Sequence, residues 1–150
     1  MHSAIQCYND LDTLIDEVHG LFERWDTGDL LPSGVDLDTL QLVKLAVHEW
    51  LANLVQHADF AGHQPEVRVN ITPHPEEVHC IIIDNSTGFD LYAQLGIREA
   101  LLQPCPERGM GLLMLDACTR ELSYAATTEG HFRLEFTVTS DQDPWLNIPF

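Results

Sequence analysis

Glu49, Asn53 and His57 follow one another at intervals of four within the run H-E-W-L-A-N-L-V-Q-H-A at 48–58. Residues four apart lie over one another on a helix, so a carboxylate, an amide and an imidazole share one stripe of an otherwise apolar element. An amide oxygen suits Mg²⁺, which binds through few protein groups, several waters and phosphate oxygens. A neighbouring carboxylate can take a proton from a hydroxyl or a water. Further on, D-N-S-T-G-F-D at 84–90 sets Asp84 at the end of an apolar run. There it can accept a hydrogen bond from the exocyclic amine of adenine, while Gly88 lets backbone approach a flat ring closely. The third segment, R-G-M-G-L at 108–112, puts two glycines before a helical pattern. Free amides at a helix start bind phosphate, and Arg108 adds a positive charge there.

The elements that must position these groups follow from periodicity. Residues 10–25 carry Leu11, Leu14, Ile15, Val18, Leu21, Phe22 and Trp25 at spacings of three and four, with acidic residues between. This is an amphipathic helix. The punctuated T-G-D-L-L-P-S-G is a loop. A second helix, capped by Asp36 or Asp38, runs to about Ala58 on a stripe of Leu40, Val43, Val47, Trp50, Leu51 and Leu54. Gly62 and Pro65 end that region. V-R-V-N-I-T (67–72) and V-H-C-I-I-I-D (78–84) are two strands joined by P-H-P-E-E. Leu91–Leu102 has helical spacing broken by Pro104 and Pro106, and residues 112–120 are helical again. Strands at 121–127 and 131–138 close the pattern, turned at Glu129-Gly130. The expected fold is α+β, a two-layer sandwich of a mostly antiparallel sheet with helices on one face.

Composition bounds the function. A chain of 150 residues fits one domain, with a core over about 10–138 and a short tail at 139–150. With 24 acidic against 7 basic side chains, the net charge of −17 repels nucleic acid and anionic membranes, and it serves either solubility or docking on a basic protein surface. No apolar run approaches a membrane span, and the start lacks the pattern of a secretory signal, so a cytoplasmic location is expected. Cys7, Cys80, Cys105 and Cys118 are irregularly spaced, which favours reduced, packed thiols over disulfides. Ala52 stands where an H-E-x-x-H zinc motif needs its second histidine, and no G-K-[ST] phosphate loop is present.

Taken together, E-x-x-x-N, D-x-x-x-G and G-x-G-L resemble in order and spacing the three nucleotide-binding boxes of the GHKL (Bergerat-fold) ATPases. The resemblance is closest to the bacterial anti-sigma factor serine kinases. Their first box ends in His-Ala, as His57-Ala58 do here, and G-M-G-L-L-M-L-D also looks like theirs. It implies a histidine-kinase-like ATPase fold that binds ATP and Mg²⁺. It implies Glu49 as catalytic base and Asn53 as the Mg²⁺ ligand. Nucleotide contacts would come from Asn53, His57, Asp84, Gly88, Arg108, Gly109, Met110, Gly111 and Leu112, under a lid of residues 91–108. The implied activity is phosphorylation of a serine or threonine on an antagonist (anti-anti-sigma) protein, with a sigma factor as docking partner and homodimerisation. Ser86 departs from the family's D-x-G-x-G, replacing its first glycine, which would narrow the adenine site or change the turn. Two rival readings keep the fold: a catalytically silent binding module, and the catalytic domain of a histidine kinase. No long dimerisation helix with a phospho-acceptor histidine precedes the first box, which argues against the latter.

Overall fold

The computed structural model describes residues 4–26, 37–74, 77–88 and 118–139. Helix α1 (Leu11–Asp26) starts where Asp10 caps it: the Asp12 amide donates to Asp10 Oδ1 at 2.9 Å. Asp12 then faces the positive end of the helix dipole. Leu14, Val18, Leu21 and Phe22, spaced for one helical face, are buried. Helix α2 (Leu37–His57) begins directly after Asp36, with Asp38 in its first turn. All six residues of its expected stripe, from Leu40 to Leu54, are at most 1% exposed.

Among the described residues, five strands form one sheet: β1 (Ala4–Tyr8), β2 (Val67–Pro73), β3 (Glu77–Asp84), β4 (Arg120–Ala126) and β5 (Phe132–Thr139). Their order is β1-β2-β3-β5-β4, and each pairing is antiparallel. In β3 burial alternates, with Val78, Cys80, Ile82 and Asp84 inward. The inward residues of β2, β3 and β5 join those of α1 and α2 in one apolar cluster, so the helices cover one face of the sheet. On the opposite face the Glu135 carboxylate meets His79 Nε2 and the Arg133 guanidinium, each at 2.7 Å.

The α+β sandwich is as expected, and six elements lie within a residue or two of their expected bounds. Two things differ. Strand β1 is an addition, pairing with β2 from Ala4↔Ile71 to Tyr8↔Val67. Arg120, expected to end a helix, instead opens β4, whose register shifts between Arg120 and Ser123, where Glu121 sits at φ 55. The expected helical stretch at 91–102 and most of 112–120 lie outside the described residues. Among the described residues, no helix is long and apolar enough to cross a membrane.

Candidate functional site

Helix α2 carries Glu49, Asn53 and His57, and the C-terminal end of β3 carries Asp84. Glu49 and Asn53 lie one turn apart on α2, both half-buried, beside the fully buried Trp50 and Leu54. His57 is the last residue of α2; its side chain lies outside the described ones. Cys118, just before β4, is fully buried close to Glu49. Burial first, and the Glu49 charge second, push its thiol up to about 11, so it stays protonated and unreactive near neutral pH. Cys80 is also free, and burial pushes its thiol further up.

Asp84 ends β3 facing the helices and is 1% exposed. Its Oδ1 accepts the Ser86 amide at 2.9 Å. Its Oδ2 is buried and has no hydrogen-bond partner among the described residues. Loss of water raises the pKa of this carboxyl above the usual carboxylate value. The Ser86 hydroxyl and amide, and then the His131 charge, pull it partly back. A buried acceptor without a donor costs free energy unless something supplies the missing hydrogen bond. An amine-bearing ring would do so.

Ser86 takes part in the turn through its own side chain. It does not occupy the left-handed region, so glycine is not needed there. Its buried hydroxyl accepts the Gly88 amide at 3.1 Å. Two successive side-chain turns, from Asp84 and then from Ser86, thus shape the loop. Gly88 is different: it has φ +81, and a Cβ there would lie 2.5 Å from the Phe132 ring.

This loop is also tied to the end of α2. The Thr87 amide donates to the Asp59 carbonyl at 2.8 Å. Asn85 donates through Nδ2 to the Gln64 carbonyl at 2.9 Å and accepts the Glu66 amide at 2.8 Å. An aromatic column joins the same parts: Trp50 meets Tyr124 edge-on at 5.3 Å, and Tyr124 stacks on Phe132 at 5.4 Å. Asn85, Asp59 and Phe132 had no functional signal in the sequence beyond an Asx-rich strand end. Arg108, Gly109, Met110, Gly111, Leu112 and the lid at 91–108 lie outside the described residues. A cavity of about 360 Å³ opens at the end of β3, lined in part by Asp84 itself and by Arg68, Ile83, His131 and Arg133.

Among the described residues, a five-stranded antiparallel sheet lies under two helices, with a buried carboxylate at the end of its central strand β3. A family model of the histidine kinase-like ATPase domain matches residues 22–137. The chain belongs to the histidine kinase-like ATPase domain family and is an ATP-binding, kinase-like module. Among solved structures it is similar to the histidine kinase domain of the Erythrobacter litoralis EL346 blue-light activated histidine kinase, at 14% identity and a TM-score of 0.50. That match covers 91% of this chain and 64% of the other, so this chain spans less than two thirds of the relative's length. At such identity the likeness concerns the fold. No curated protein matches.

Proposed function

We propose that this protein is an ATP-binding regulator of the anti-sigma type, a serine/threonine kinase that phosphorylates an antagonist protein and acts by partner switching with a sigma factor. The observation that carries the nucleotide half of this reading is Asp84: a 1% exposed carboxylate with one oxygen satisfied by Ser86 and the other without a donor among the described residues. The hydrogen-bond deficit at Oδ2 fits the exocyclic amine of adenine.

In this reading Asn53 holds Mg²⁺ through its amide oxygen, and Glu49, one turn away, takes the proton from the attacking hydroxyl. Bound Mg-ATP supplies the phosphoryl group. Arg108, Gly109, Met110, Gly111 and Leu112 meet the phosphates, and His57 closes the box at the end of α2. The sigma factor and antagonist dock on an acidic surface, as the net charge of −17 favours.

Glu49→Gln tests the assignment. It should retain ATP affinity within about twofold yet lower phosphate transfer to a seryl substrate by roughly a thousandfold, the scale expected for losing a general base. Unchanged transfer sinks the role of Glu49. Transfer of an acid-labile phosphate to histidine would instead favour the histidine-kinase reading, and ATP binding with no transfer at all the silent module.

A further inference from the structure

His19 on α1 and His48 on α2 meet nitrogen to nitrogen, Nε2 to Nδ1, at 3.1 Å. The ring planes differ by 22° and the centroids are 5.2 Å apart, so the rings meet by their edges. One ring must donate and the other accept, so a single proton holds the contact. We propose that this pair is a two-histidine clamp for a late first-row divalent cation of the Zn²⁺, Ni²⁺ or Cu²⁺ class.

The geometry carries this. Two imidazole nitrogens 3.1 Å apart, each about 2.05 Å from one shared ion, subtend roughly 100° at it. That lies between the octahedral and tetrahedral angles, so modest ring rotations convert a proton-bridged pair into a chelate. Rotation is cheap because His19 is exposed and His48 half-exposed. The two ligands come from different helices, so a bound ion braces the α1–α2 seam.

The surrounding charge suits a cation. On α1, Asp16 and Glu23 lie three residues before and four after His19 on the same stripe, with Asp12 one turn beyond, and all three are exposed. Lys44, one turn before His48 on α2, opposes them. Among the described residues no third protein ligand is gathered at the pair, so water fills the other positions. Imidazole ligands select Zn²⁺, Ni²⁺ or Cu²⁺ over Mg²⁺, which prefers oxygen. The clamp is therefore separate from the Asn53 magnesium role.

Calorimetric Zn²⁺ titration of the full chain without nucleotide, alongside His19→Ala and His48→Gln, tests it. We expect one equivalent that both variants weaken by roughly tenfold or more, as when a bidentate site loses a ligand. Zn²⁺ should also raise Tm in the wild type and not in the variants, whose metal-free Tm shows that they fold. Cu²⁺ bound at one equivalent should show two coordinating nitrogens in its EPR spectrum, and one fewer in His19→Ala. Zn²⁺ binding unchanged in both variants, or no saturable binding by the wild type at about a hundred micromolar, overturns the proposal.

Discussion

At the scale of the residue, Asp84 shows how a proposed binding group is held at a cost. Burial raises its pKa above the unfolded value, so between the two values the folded chain binds more protons than the unfolded chain. Its contribution to stability is therefore intact below the unfolded pKa and is lost as pH rises through the folded one. Asp84→Asn removes the ionisable group. The variant should be more stable than the wild type at pH 7 to 8, by roughly 1 kcal/mol, and the difference should shrink on acidification. Thermal melts across pH, with and without ATP, check this. Nucleotide should raise the wild-type Tm and leave that of the variant unmoved. A variant less stable at neutral pH would show that the carboxylate already has a donor. The position of Asp84 was legible in the sequence as the end of an apolar strand. The part played by Ser86 was not. It looks like a missing glycine until the turn shows its hydroxyl holding the Gly88 amide.

At the scale of the element, the candidate site depends on how α2, β4, β5 and the loop after β3 interlock. The column Trp50–Tyr124–Phe132 ends against Gly88. Gly88→Ala combines a left-handed backbone with a Cβ driven into the Phe132 ring, so about 2–4 kcal/mol of destabilisation is expected. Phe132→Ala carries its own cost but removes the clash. In the double variant the two penalties should therefore sum to less than their separate values, which denaturant melts of all four proteins would measure. Strict additivity would mean that the ring moves aside freely. Periodicity exposed α1, α2, β2 and β3, because each buries one regular face, whereas β4 and β5 were legible from the Glu129-Gly130 turn between them. It could not expose β1. Five residues at a sheet edge acquire their identity from β2, about sixty positions on. The bonds from Asn85 and Thr87 to residues 59–66 were hidden for the same reason: contacts between distant loops impose no repeating pattern.

At the scale of the whole molecule, charge dominates. With 24 acidic and 7 basic side chains, folding brings like charges together, and the compact state is destabilised by their repulsion. Salt screens that repulsion over a Debye length of about 10 Å at 0.1 M. Raising NaCl from about 0.01 to 0.3 M should therefore increase Tm by a few degrees. A Tm that is flat or falling with salt would mean that local ion pairs, such as Glu135 with Arg133, outweigh the global field.

The strand order has a kinetic consequence. β2–β3 and β4–β5 are local hairpins, and such units close in about 1–10 μs. Uniting them requires β3 to find β5, pairing Ile82 with Leu134 across all of the chain between. Joining distant strands carries the larger loop-closure entropy, which makes it the slower event. Asp84 pairs with Phe132 on this same seam. The proposed nucleotide cradle therefore comes into being only when the two halves of the sheet meet, and a chain that stalls as separate hairpins would hold most of its secondary structure and none of that site.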